Sequence, residues 1–300
     1  MPRGVVWGLY AMLVLIWSST WVAIKIGLED TPPLLGAGVR FTLAGAGLLV
    51  VAAALRRSLR TDAVLAVLLG LLPFAFSYGL IYWGEQYVPS GLAAVLFGVL
   101  PIYVALLAAG LLKDEPVSGR LLAGVAIAVG GLVLAFSESL ALGDGERAAL
   151  GAGACLVAPM ASAVGNVAIK RRGEGLDAVV LNGWAMLGGG LALLAVSAAS
   201  EPWGEAAWTG RAVGSIAYLA IVGSAVAFVV LYVLLRHMSA QSMSFIALMI
   251  PFGALALGAL IYDEAITVRA LAGAALVVAG LLVAQTSPGR RQEAPAPAAA

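Results

Sequence analysis

The sequence predicts an all-α integral membrane protein of ten transmembrane helices, arranged as two inverted five-helix repeats around a central cavity. Three observations carry that expectation: an extreme composition, ten apolar stretches of spanning length, and an internal duplication. Of the 300 residues 62% are hydrophobic and 11% charged, and the mean hydropathy is +1.02. A soluble domain has roughly 45–50% apolar and about 25% charged residues, so a chain of this kind takes lipid as its solvent. The net charge of +1 points to no nucleic-acid partner.

A bilayer span needs about 20 mostly apolar residues. Ten stretches qualify: 4–26, 34–55, 63–83, 89–112, 121–137, 148–169, 176–198, 212–235, 240–262 and 268–285. The first follows Arg3 but outruns the roughly 7–15 residues of a signal-peptide core, and no small-x-small cleavage site follows it, so it reads as a retained helix. The second begins after the turn Glu29-Asp30-Thr31-Pro32-Pro33, and the third after the basic stretch Arg56 to Asp62. Lys113 to Arg120 separates the fourth from the fifth, and Lys170 to Gly175 the sixth from the seventh. The tail from Ser287 is rich in Pro and Ala and has no means of burying a core, so residues 287–300 read as a disordered cytoplasmic tail. The 37 glycines suit close helix packing in a membrane, and Gly124-xxx-Ala128 and Ala126-xxx-Gly130 are small-residue pairs of that kind.

Orientation follows from the cations. With ten spans, Arg3, Arg56, Arg57, Arg60, Lys113, Arg120, Lys170, Arg171, Arg172, Arg236, Arg290 and Arg291 share one side. Lys25, Arg40, Arg147, Arg211 and Arg269 share the other. The positive-inside rule then places both termini in the cytoplasm.

The duplication is visible residue by residue. Val22-Ala23-Ile24-Lys25 recurs as Val167-Ala168-Ile169-Lys170, Pro101 as Pro251, Asp114-Glu115 as Asp263-Glu264, and Arg120 as Arg269. Tyr82 pairs with Tyr232 and Gly124 with Gly273, at offsets of 145 to 150 residues. The implied units are residues 1–143 and 144–286. Five helices per copy is an odd number, so the second copy enters the membrane from the opposite face. Inverted repeats of this sort underlie alternating access around a central site.

The run Ile16-Trp17-Ser18-Ser19-Thr20-Trp21-Val22-Ala23-Ile24-Lys25, the pair Arg40-Phe41, and the Pro101-to-Glu115 stretch with its Pro251-to-Glu264 echo resemble the EamA branch of the drug/metabolite transporter superfamily. The resemblance covers residues 4 to 285. It implies ten helices, a central cavity and export of small metabolites such as amino acids across the bacterial inner membrane, with the aromatic-amino-acid exporters as its nearest branch. The copies differ in chemistry, since Trp17 and Trp21 align with Ser162 and Asn166, and the position of Arg40 falls near Gly183.

Trp17, Trp21 and Lys25 lie on one helix stripe, and Ser162, Asn166 and Lys170 on its equivalent. Polar groups repeated in both copies should avoid lipid and face a cavity, although Trp21 and Lys25 also suit interfacial anchoring or a gate. Tyr78, Tyr82 and Glu85 share a face, and Phe228 with Tyr232 repeat the aromatic pair; Tyr82 also suits an aromatic belt. Pro101 and Pro251 read as paired helix breaks, with Phe97, Tyr103, Ser244 and Met249 beside them as further contacts. Trp17, Trp21, Tyr78, Tyr82, Phe97, Tyr103, Ser162, Asn166, Tyr232 and Ser244 are thus the substrate-binding candidates. Pro101, Pro251, Lys25 and Glu85 are the hinge or gate candidates. Asp114-Glu115 and Asp263-Glu264 read as helix caps.

The sole histidine, His237, sits at a helix end, and the sole cysteine, Cys155, reads as buried filler. No constellation of catalytic groups is present, so neither an enzyme nor a cofactor or metal site is expected, and no ring of like charge suggests a channel. The expected partners are a small solute and membrane lipid, and the chain is compatible with a monomer. No acidic residue falls at mid-depth in a span, which favours facilitated export over proton coupling, with Glu85 the one exception to watch.

Overall fold

The computed structural model describes residues 1–88, 90–112, 118–135, 137, 146–262 and 267–285. Among them every regular element is helical. We number them α1 (Arg3–Leu28), α2 (Pro33–Ala54), α3 (Ala63–Gly84), α4 (Ser90–Leu111), α5 (Gly119–Ala135), α6 (Glu146–Arg172), α7 (Ala178–Ser200) and α8 (Gly210–Leu235). Helix α9 comes in two pieces, Ala240–Ser244 and Ile246–Tyr262, and α10 is Val268–Gln285. Seven of them, α1 to α4 and α6 to α8, are long and apolar enough to cross a membrane, and α5, α9 and α10 contribute shorter apolar stretches.

Local chemistry sets the ends. Asp62, Asp177 and Thr209 cap α3, α7 and α8 by accepting from backbone N–H groups of the first turn. Pro33 opens α2, where its missing N–H is no loss. The basic run Lys170-Arg171-Arg172, read as a connection, instead forms the last turn of α6, where cations favour the negative helix end. Asp114-Glu115 and Asp263-Glu264 lie outside the described residues.

Irregularities recur in the same order in both halves. α3 loosens into a π-helix over Gly70–Ser77, and α8 does so over Ile221–Val226. α4 is interrupted after Phe97 and α9 after Ser244. The prolines do not make these breaks. Pro101 stands in the first turn of the second α4 piece, after the interruption at Gly98-Val99. Pro251 lies within Ile246–Tyr262, past the break.

Equivalent helices pack on each other, and they run antiparallel. An ideal Cβ on Gly38 would meet the Leu194 side chain, while one on Gly45 would fall 2.7 Å from the Gly183 carbonyl oxygen. Residue numbers therefore rise along α2 as they fall along α7. Between α5 and α10, Gly124 lies against Gly280, and a Cβ on Gly131 would sit 2.7 Å from the Gly273 carbonyl oxygen. Only a missing side chain lets these backbones approach so closely. Gly124 and Ala128 belong to this contact, but Gly130 faces open space and Gly131 takes the place expected of it.

Candidate functional site

A central cavity of about 70 Å3 lies between α1, α3, α4, α6, α7, α8 and α9. The α1 stripe supplies Trp17, Thr20, Trp21 and Ile24, and the α6 stripe supplies Ser162, Asn166 and Ile169. Both helices run unbroken through the middle of the bundle, so side chains four residues apart stay on one face.

The wall is largely aromatic. Phe228 of α8 centres it, with ring centroids 5.4 Å from Trp17, 4.8 Å from Phe74 and 6.2 Å from Tyr78. Trp21 packs edge-on to Phe97 at 5.9 Å. Such contacts hold the rings at fixed angles and leave apolar faces for a ligand. Polar groups are few. Ser77 and Ser162 hydroxyls pair across α3 and α6 at 2.9 Å. The Asn182 amide donates to Ala178 O at 2.8 Å, and it lines the cavity with Asn166. The Trp17 indole N–H is buried with no hydrogen-bond partner, a donor that a bound solute would satisfy.

Two lysines close the stripes. The Lys25 ammonium donates to the carbonyl of Glu85 at the end of α3, at 2.7 Å. In the other half Lys170 donates to the carbonyls of Leu235 and Met238 at the end of α8, each at 2.9 Å. Each ammonium satisfies carbonyls that a helix terminus leaves unpaired.

Six expected contacts thus meet in the cavity: Trp17, Trp21, Tyr78, Phe97, Ser162 and Asn166. The other four lie elsewhere. Tyr82 is buried behind the wall, where its hydroxyl accepts from Arg40 Nη1 at 3.2 Å. Tyr103 reaches across to α6 and donates to Leu156 O at 3.3 Å. Tyr232 turns to Gly173 O beside Arg236, and Ser244 donates to Gln241 O within its own turn at 2.7 Å. Pro101 and Pro251 are buried but line no part of the cavity; Met249 likewise lies outside it.

Arg40 is the residue that sequence reasoning placed differently. It was counted with the cations of one aqueous side, yet it lies in α2 with no solvent exposure, so it belongs to neither side. Its Nε donates to Ser224 Oγ at 2.8 Å and Nη2 to Gly223 O at 3.3 Å, both in the π-helical turn of α8. Its guanidinium also lies 4.8 Å from the Phe41 ring centroid and 4.9 Å from that of Tyr78, within cation–π range. The signal was a full charge well inside an apolar stretch.

Outside the spans, ion pairs tie the halves at their loops. Arg172 meets Asp62 at 2.8 Å and Arg57 meets Asp177 at 3.0 Å. The Leu65 N–H and the Arg172 charge hold the Asp62 carboxyl below its usual range. For Asp177, burial pulls upward, but the Val180 and Val179 N–H groups and Arg57 outweigh it and lower the carboxyl.

The pattern of the EamA-like transporter family matches this chain twice, over residues 2–137 and 149–286. The chain belongs to the EamA-like transporter family. It is 29% identical over 288 residues to the uncharacterized transporter YoaV of Bacillus subtilis, covering 93% of this chain and 96% of that one. A probable terminal-alkyne amino-acid exporter of Streptantibioticus cattleyicolor is 30% identical over 305 residues, with 97% of each chain covered. A probable amino-acid metabolite efflux pump of Escherichia coli is 28% identical over 291 residues, covering 92% of this chain and 93% of that one. A solved crystal structure superposes with a TM-score of 0.78 at 20% identity over 97% of this chain and all of the other, a likeness of fold. Family and fold together make the chain an integral membrane protein of a transporter family, and both copies of the EamA pattern contribute walls to its cavity.

Proposed function

We propose that this EamA-family chain exports small amphipathic metabolites, with aromatic or bulky neutral amino acids as the substrate class, by alternating access of the central cavity. In this reading ten helices cross the bacterial inner membrane as two inverted repeats, residues 1–143 and 144–286, with both termini in the cytoplasm. The observation that carries it is the cavity itself: aromatic walls from both halves around the unpartnered Trp17 N–H. The antiparallel packing of α2 on α7 and of α5 on α10 supports the inversion, and the paired lysine closures support a gate at each end. An apolar side chain rests on Trp17, Tyr78 and Phe228, while the charged or polar end finds Trp17 Nε1, Asn166 and the Ser77–Ser162 pair. The printed names of the Streptantibioticus and Escherichia relatives favour amino acids as cargo. Among the described residues no acidic side chain lines the cavity, so solute binding to those residues needs no proton on the wall.

The test is counterflow of a panel of radiolabelled amino acids in proteoliposomes, with Trp17→Ala alongside. Saturable exchange of aromatic or bulky neutral amino acids, weakened in the variant, is the expected result. Exchange of none of them would remove the substrate class and bring drug or lipid translocation forward.

A further inference from the structure

Glu85 stands at the end of α3, beyond Gly84, and its side chain is fully buried. Neither carboxyl oxygen has a hydrogen-bond partner. An ionised carboxylate left dry and unpaired is among the most unfavourable arrangements a protein can hold, and such a group neutralises itself by taking a proton.

Two cations lie close by, and both are engaged elsewhere. Lys25 on α1 spends its ammonium on the main-chain oxygen of Glu85. Arg40 on α2 is bound to Ser224, Tyr82 and Gly223. Among the described residues, Tyr82, one turn back on α3, and the Cys155 thiol on α6 are the other titratable groups whose charge the carboxyl influences.

In the second half the equivalent cap forms without an acid. Lys170 caps the end of α8 through Leu235 O and Met238 O just as Lys25 caps α3. The position matching Glu85 at an offset of 150 residues is Leu235, a side chain with nothing to titrate. Lysine and carbonyl suffice for the cap in both halves, so the carboxyl is an addition to one half alone.

We propose that Glu85 is a proton-binding site, and that the bound proton closes the end of the helix bundle where α1 and α3 finish. Loss of that proton to water leaves a carboxylate that draws Lys25 off the Glu85 carbonyl and admits water, loosening α1 from α3. One proton is exchanged per opening, between a Glu85 oxygen and water at that end, and no other bond changes. The inference deepens the carrier reading of the same cavity and rests on it only for the meaning of the opening, which would make export responsive to a pH gradient.

The only cysteine reports on this end. Cys155 is fully buried, and an ideal Cβ on Gly84 would lie 2.7 Å from its sulfur. The experiment is alkylation of the full-length protein in lipid nanodiscs with N-ethylmaleimide, from about pH 5.5 to about pH 8.5, all of it above the ordinary carboxyl range. Wild type should be protected at acid pH and labelled at alkaline pH, whereas Glu85→Gln should stay protected throughout, labelled at least about tenfold more slowly at the alkaline end. Removing a neighbouring negative charge by itself eases thiolate formation and speeds labelling. A carboxyl that acted only by its charge would therefore give Glu85→Gln the same rate or a faster one, and that result overturns the proposal. Should Glu85→Gln fail to fold, pH-difference infrared spectra of wild type decide: a protonated carboxyl band that is lost across the same range supports the site, and no such band sinks it. The labelling uses no solute, so a negative result here leaves the carrier reading to the counterflow assay.

Discussion

The Arg40 guanidinium donates through Nε to the Ser224 hydroxyl at 2.8 Å, joining α2 to the π-helical turn of α8 at a point shut off from solvent. The π-helical turn widens the backbone spiral and leaves carbonyls out of ordinary register. One of these, Gly223 O, is taken up by the same side chain at 3.3 Å. Arg40 thus ties Tyr78 of the aromatic wall, and Tyr82 behind it, to the opposite half of the bundle.

Arg40→Lys should therefore be far from conservative. An ammonium lacks the planar fork that serves Ser224, Tyr82 and Gly223 together, and the groups it abandons stay buried. We expect a loss of about 3 kcal/mol, read as a lower thermal midpoint of the purified protein in detergent. An unchanged midpoint would mean that the three contacts are dispensable.

Trp17 separates shape from hydrogen bonding. Trp17→Phe keeps the ring against Phe228 and removes the unpartnered N–H. Half-saturation for a transported aromatic amino acid should weaken by roughly tenfold, the worth of about one hydrogen bond. Trp17→Ala should weaken it further, since the ring contact goes too. Equal effects from both variants would show that the indole N–H meets no solute.

Two adjacent glycines on α5 give a sharp contrast. Gly131→Ala puts a methyl 2.7 Å from the Gly273 carbonyl oxygen, where backbone must move, while Gly130→Ala meets nothing within 4 Å. The first should destabilise by about 1–3 kcal/mol; the second should be neutral or stabilise by up to about 1 kcal/mol through helix propensity. Thermal unfolding of the pair decides, and similar midpoints would place α5 and α10 further apart.

The lowered carboxyls of Asp62 and Asp177 predict acid sensitivity. A carboxyl whose folded value lies below its unfolded one, about 3.9 for Asp, contributes stability above that unfolded value and loses it as pH falls toward the folded one. The thermal midpoint should accordingly drop below about pH 4. In Asp62→Asn with Asp177→Asn it should be lower at neutral pH and flatter below. The solvent-exposed pairs with Arg172 and Arg57 contribute modestly to the neutral value. A double variant whose midpoint tracks wild type at every pH would remove the two carboxylates from the account.

Substrate-binding candidates on the α1 and α6 stripes line the cavity, as do Tyr78 and Phe97, while Tyr82, Tyr103, Tyr232 and Ser244 turn elsewhere, for a physical reason. Trp17, Trp21, Ser162 and Asn166 lie on unbroken helices whose periodicity carries straight through the site. Tyr82 shares its face with Tyr78 by the same rule, yet Arg40 arrives from α2 and claims its hydroxyl. Tyr103 and Ser244 follow the interruptions in α4 and α9 or sit beside them, where facing is set by the break and not by the count of residues. Asn182, from α7, lines the cavity without having stood out as a lone amide in an apolar run.

Sequence alone determined that lipid is the solvent, roughly where the apolar helices lie, and that the chain is a duplication. Those features are local or periodic: backbone groups in hydrocarbon must pair within a segment, and a duplication survives as matched residues at a constant offset. Only the tertiary structure decided that Arg40 is buried on Ser224, that Glu85 is dry and unpartnered, and which aromatics share a cavity. A polar side chain's partners come from helices far away in the chain, and burial with or without a partner is a property of that meeting alone.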